Sequence, residues 1–107
     1  MGLPQPKPLE RIIVSIDKDL EDIVPVFLNN RKKDVQTLRT ALAQHDFETL
    51  RTLGHRMRGD GSGYGFDAVS QIGAIMESAA GRRDRATIQQ QTQQLEDFLA
   101  RVQVEYR

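Results

Sequence analysis

The sequence predicts an all-α fold: an antiparallel, up-and-down four-helix bundle with an N-terminal appendage. Three observations carry that reading. Apolar residues recur at steps of three and four along four segments, the period of a helix that buries one face. The three connections between those segments are short, so successive helices should pack antiparallel. The 107 residues suffice for one core with little to spare. The helices are expected at about 18–43, 47–64, 67–80 and 84–105, within a domain of residues 10–107.

Residues 1–9 carry Pro4, Pro6 and Pro8 at alternate positions. Such a segment cannot join a helix and reads as an extended or disordered arm. Ile12-Ile13-Val14-Ser15-Ile16 is β-branched and short. It is either an extended strip laid on the fold or a first turn of helix, and its pattern does not arbitrate. Asp17 and Asp19 are candidate N-caps for the next segment. From Leu20 to Leu42 the apolar positions are Leu20, Ile23, Val24, Phe27, Leu28, Val35, Leu38 and Leu42. Pro25 interrupts them. Either one helix kinks there, or a short helix ends and a longer one begins with Pro25 in its first turn. The stripe continues in phase across the proline, which favours the kink.

Gln44-His45-Asp46 breaks the pattern, and Asp46 is placed to cap the second helix. Gly59, Gly61, Gly63 and Gly65 oppose that helix, each costing about 1 kcal/mol relative to alanine. On propensity alone, Gly59 to Gly65 is a loop. The alternative is a persistent helix, with Gly61 near the core side for close approach to a neighbour and Gly59 left bare for a partner. In the third helix Val69, Ile72, Gly73, Met76 and Ala80 face inward, and Gly81 ends it from the C′ position. Asp84 can cap the fourth, whose stripe runs Ile88, Thr92, Leu95, Leu99, Val102 and Tyr106. The glutamine-rich run Gln89 to Gln94 is in phase with that stripe and reads as a solvated face.

Composition narrows the function classes. Fifteen basic and 15 acidic residues balance, whereas a nucleic-acid backbone binder normally shows a basic excess. Without cysteine there are no disulfides or thiolate metal sites. No apolar run approaches the roughly 18 residues of a membrane span, and no signal segment opens the chain. A cytoplasmic domain with no membrane and no nucleic-acid partner is the expectation. The alternate glycines come after no strand and precede no Gly-Lys-Ser/Thr, which argues against a nucleotide loop. Two histidines ten residues apart do not make a metal site.

Winding the second helix at 100° per residue separates two faces. Leu50, Leu53, Met57 and Tyr64 share one side; Arg51, Thr52, His55, Arg58, Gly59 and Ser62 share the other. His55 thus points away from the apolar stripe, with an arginine one turn on and a bare patch beside it. His45, in a turn beside Asp46, has no such surroundings. His55-Arg56-Met57-Arg58-Gly59, with Gly65 further on, resembles the signature of histidine-containing phosphotransfer (HPt) domains: His-x-x-Lys-Gly and then another glycine. Phe27-Leu28, Leu38-Ala41-Leu42, Asp46-Phe47, Ile72, Met76 and Glu77 are similar to the family pattern around it. The resemblance covers roughly residues 18 to 105, with Arg58 standing where the family usually has lysine.

That resemblance implies a phosphorelay intermediate. His55 would accept a phosphoryl group from the aspartyl phosphate of a response-regulator receiver domain and pass it to another receiver. Arg58 would compensate charge, and Arg51, Gly59 and Ser62 would be the partner contacts. The implied partners are receiver domains and a sensor histidine kinase. The domain would be a monomeric carrier with no nucleotide site or cofactor of its own, Mg²⁺ coming with the receiver. The alternative is a degenerate HPt bundle that only docks a signalling partner and carries no phosphate.

Overall fold

The computed structural model describes residues 10–107, and the proline-bearing arm expected over 1–9 lies outside the described residues. In chain order the elements are β1 (Ile12–Ile16), a 3-10 helix (Lys18–Leu20), α1 (Val24–Ala43), α2 (Phe47–Tyr64), α3 (Asp67–Gly81), α4 (Arg85–Arg101) and β2 (Val102–Tyr106). The four helices form the bundle. β1 and β2 pair in parallel alongside it, Ile12 opposite Val102 and Ile16 opposite Tyr106.

Both ends of the bundle differ from the expectation. The first helix starts at Val24, not near residue 18, with Pro25 in its first turn. Proline lacks the N–H that a through-going helix would use, and its ring would strike the carbonyl four residues back. The chain therefore makes a separate 3-10 turn, capped by Asp17 through the N–H of Asp19, and begins anew. The fourth helix stops at Arg101 rather than 105. Val102-Gln103-Val104-Glu105-Tyr106 alternates apolar with polar residues, which suits a strand half-covered on one side. That strand settles the open reading of Ile12–Ile16 as extended. Gly81 lies inside α3, and the left-handed residue after that helix is Arg83, with φ 56°.

α2 runs unbroken to Tyr64 through its glycines and ends at Gly65, whose φ of 86° needs a residue without a Cβ. The reason for the persistence is α3. A Cβ added at Gly54 would lie 2.6 Å from the backbone nitrogen of Glu77 and 2.9 Å from the carbonyl of Gly73. At Gly61 it would meet the backbone nitrogen of Ser70 and, at 2.9 Å, the carbonyl of Phe66. At Gly73 it would lie 2.6 Å from the carbonyl of Gly54. The two helices touch backbone to backbone. Gly59 and Gly63 instead face open space.

The core lies between the apolar stripes, with Leu38, Leu50, Met57, Phe66, Val69, Met76, Ile88 and Leu95 fully buried. Phe27 of α1 stacks on Phe66 at 5.0 Å between ring centroids and tilts against Tyr64 at 4.9 Å. Beside it Arg31, only 6 % exposed, pairs with Asp34 at 2.9 Å and with Asp60 of α2 at 3.5 Å, its guanidinium over the Phe27 ring. Burial pushes the Asp34 carboxyl up from its ordinary range, opposed in part by Arg31 and Arg56. Removing Asp34 would take the nearer counter-charge from a buried guanidinium, and the longer contact with Asp60 is the one that reaches across to α2.

The glycine contacts and the helix caps each make a stability prediction. Gly61→Ala or Gly73→Ala forces backbone apart and should lower Tm by on the order of 10 °C. Gly63→Ala meets nothing and should raise it slightly; thermal melts monitored by circular dichroism decide. At the caps, Asp46 and Asp84 accept from the Oγ1 and N–H groups of Thr49 and Thr87, which holds both carboxyls below their ordinary range. Stability from a lowered pKa is present above the unfolded value, about 3.9, and lost as pH falls through it and below. Asp46→Asn and Asp84→Asn should therefore melt below the wild type at pH 7, and the gap should close on acidification.

Candidate functional site

α2 carries the site because one side of it is committed to the core and α3, and the other is left to solvent. Leu50, Leu53 and Met57 are buried, whereas Arg51, Thr52, His55, Arg58, Gly59 and Ser62 are exposed. Residues 51 to 62 span about 16 Å of helix, so Arg51, His55, Gly59 and Ser62 form one stripe three turns long. His55 is at its centre with 65 % of its side chain exposed. Arg58 is 51 % exposed. Bare Gly59 adjoins them.

The histidine is held from beneath. Its Nδ1 lies 2.7 Å from Oε2 of Glu77 on α3, and Glu77 is only 21 % exposed. A carboxylate can only accept, so the proton of a neutral ring sits on Nδ1 and donates to Glu77. The lone pair is then on Nε2, the nitrogen without that partner. The same carboxylate binds Nη1 of Arg58 through its other oxygen, at 3.1 Å. Nη2 of Arg58 is 3.5 Å from Nδ1, too far to compete with the carboxylate. One glutamate thus orients both the imidazole and the guanidinium. Ser70 of α3 completes the seam by donating to the carbonyl of Arg58 at 2.7 Å.

Sequence alone assigns no role to Glu77 or Ser70. Their signal is positional: Ser70, Gly73 and Glu77 recur at three and four residues, so whatever face of α3 turns Gly73 to α2 also turns them. Gly54 matters for the same reason. Because it has no side chain, the backbone of Glu77 seats next to the residue preceding His55. Arg51 and Ser62 lie on the histidine stripe, and among the described residues neither side chain has an ion-pair or hydrogen-bond partner. Arg56 turns toward α1, where it acts on Asp34. His45 is remote from the site; it has φ 54° and its Nδ1 accepts from Arg85 at 3.0 Å, tying the α1–α2 turn to α4. Among the described residues no cluster of histidine, aspartate and glutamate could hold a metal ion, and no helix is long and apolar enough to cross a membrane.

A four-helix bundle presenting one buttressed, solvent-facing imidazole with a cation beside it is the form of a phosphohistidine carrier. The family model described as "Hpt domain" matches residues 22–105, and the chain belongs to that family. Hpt domains are phosphocarriers of phosphorelay, two-component signalling, and they interact with receiver domains and kinases. No curated protein and no solved structure matches the chain significantly.

The arrangement makes a prediction about the ring itself. At a pH where His55 is neutral, long-range ¹H–¹⁵N spectra of the wild type should show the Nδ1–H tautomer. Glu77→Ala should move the population to Nε2–H, the form that no longer has a carboxylate at Nδ1. An unchanged tautomer would mean that the contact with Glu77 does not set it.

Proposed function

We propose that His55 is the phosphoacceptor, with Nε2 as the attacking atom. The observation that carries this reading is the pairing of an engaged Nδ1, 2.7 Å from Glu77, with an otherwise exposed ring. The donor is the aspartyl phosphate of a receiver domain docked along the Arg51–Ser62 stripe. The Nε2 lone pair forms a bond to phosphorus in line with the breaking bond to the aspartyl oxygen, and the aspartate leaves as carboxylate with that bond's electrons. The ring keeps its Nδ1 proton and becomes positive, and Glu77 balances that charge, as a triad aspartate does for its imidazolium. Transfer to a second receiver reverses these steps.

Each remaining residue has a part that its chemistry supports. Arg58 lies one turn from His55 and offsets charge on the three equatorial oxygens, since such transfers depend on positioning and charge compensation. Its planar fork keeps donors to spare after one limb binds Glu77, which an ammonium in the family's usual lysine arranges differently. Gly59 gives the receiver's loops room to reach phosphorus. Arg51 and Ser62 are contact positions at either end. The Mg²⁺ that the reaction uses is proposed to arrive with the receiver's own acidic pocket.

Incubating the protein with a phosphorylated receiver and Mg²⁺ tests the proposal. The wild type should gain acid-labile, base-stable label, and His55→Gln should gain none. Label surviving that substitution removes His55 as acceptor. A wild type that binds the receiver and never labels would instead support the docking-only alternative. Gly59→Gln should slow transfer by on the order of tenfold or more with no fall in Tm, because its Cβ points into open space. A large fall in Tm would assign the glycine to packing.

A further inference from the structure

β1 leaves a strand edge open. Its sole neighbour in the sheet, among the described residues, is β2. Arg107 N–H donates to the Ile16 carbonyl and Lys18 N–H to the Arg107 carbonyl. Even-numbered residues of β1 therefore turn their backbone groups to β2, while Arg11, Ile13 and Ser15 turn theirs outward; the carbonyl of Asp17, just past the strand, accepts from Leu20. The same odd positions carry exposed side chains, and Ile13 is 59 % exposed. Unpaired strand edges are templates for another strand, and proteins usually blunt them with charge of one sign, proline or a cover. Among the described residues this edge has no proline and no cover, and the charges at its flanks are of both signs.

Its charges are instead arranged as a palindrome. The segment reads Glu10-Arg11-Ile12-Ile13-Val14-Ser15-Ile16-Asp17-Lys18. Laid antiparallel on a second copy of itself about Val14, it sets Ile12 against Ile16, Val14 against Val14 and, at the flanks of the strand, Arg11 against Asp17, whose Oδ2 is left over when Oδ1 caps Asp19; Lys18 already belongs to the 3-10 turn. Ile13 faces Ser15, both with outward backbone groups, so the two exchange hydrogen bonds in register. The two exposed Ile13 side chains become diagonal neighbours on the outer face. Shifting the centre to Ile13 puts Arg11 against Ser15 and Glu10 against Ile16, and the complementarity is gone. The free edge of β2 does not share it: centred on Val104, that strand sets Arg101 against Arg107.

We infer that β1 is a self-complementary edge through which two copies of this chain form a two-fold dimer with a continuous four-stranded sheet, β2-β1-β1-β2. The pairing is isologous, as a closed two-fold contact requires. It departs from the monomer that the family resemblance implies. The histidine stripe stays clear of it: Ile16 packs on Gly65, ten residues or about 15 Å along α2 from His55. The dimer contact is independent of what His55 does.

Sedimentation equilibrium over a concentration series tests it, with charge exchange as the diagnostic. Arg11 and Asp17 of one strand are about 20 Å apart along it, so they can pair only between copies. The wild type should self-associate to a dimer. Arg11→Asp and Asp17→Arg should each weaken dimerisation by about tenfold or more, since each sets like charges opposite at two symmetric places. The double variant should return it to within about threefold of wild type. Circular dichroism and thermal melts confirm that each variant is folded, including Asp17→Arg, which also loses the cap on Asp19. A wild type monomeric at ~0.5 mM overturns the inference, as does a dimer that the single reversals leave unchanged or that the double exchange does not restore.

Discussion

The contact on which the rest depends is the backbone-to-backbone approach of α2 and α3 at Gly54, Gly61 and Gly73. Glycine inside a helix costs about 1 kcal/mol relative to alanine, so three such positions are a substantial local penalty. They persist because at this separation any side chain would collide with peptide groups that cannot swing aside. The gain is dense packing of the flanking Leu50, Leu53, Met57, Val69, Ile72 and Met76, all buried. Tertiary packing outweighs propensity here, as it commonly does in helical proteins.

That close approach also shapes the candidate site. Glu77 and His55 face each other across it, and the carboxylate reaches Nδ1 at 2.7 Å. With Gly54 under the backbone of Glu77, the carboxylate emerges beside His55 and Arg58 instead of beneath the core. Glu77 is shielded enough for its bonds to matter, while the two groups it orients remain largely in solvent. Surface ion pairs are ordinarily worth little. This one gives direction: its two oxygens lie 2.7 Å from Nδ1 of His55 and 3.1 Å from Nη1 of Arg58, so both side chains are held from the α3 side.

Much of this is legible in the sequence, for identifiable reasons. The three-and-four spacing places the buried stripes, and 100° per residue separates His55, Arg58 and Gly59 from Leu53 and Met57 without any tertiary information. Asp46 and Asp84 announce their helices because a cap is a local interaction. The failures are non-local or degenerate. Val102 and Tyr106, four apart, fit a helical stripe as well as Val102, Val104 and Tyr106 fit a strand. The choice depends on Ile12, which pairs with Val102 from the opposite end of the chain. At Pro25 the apolar phase survives the break because Leu20 still packs on the same core from a turn, whereas Ile23, in phase with it, is exposed; phase alone misleads. Glu77 stands in the family pattern, but its contacts are not legible for another reason: a lone polar residue has no period, and what it touches follows only once Gly54 and Gly73 are known to meet.

On the proposed role of His55, the charges around it fit a group that must both take and give a phosphoryl group. Glu77 lies 2.7 Å from Nδ1 of His55 and 3.1 Å from Nη1 of Arg58, so one carboxylate is shared between an imidazole and a guanidinium. Phosphorylation would add anionic oxygens on the outer side of the ring and a positive charge within it. Glu77 would then belong more to the ring, leaving Arg58 to turn toward the oxygens, and the redistribution would reverse as the group leaves. A carrier needs its loaded and empty states close in energy. An unpaired cation beside the ring would hold the phosphoryl group too tightly, and one fully neutralised by its own carboxylate would offer it nothing; a guanidinium that shares the imidazole's partner would lie between those extremes.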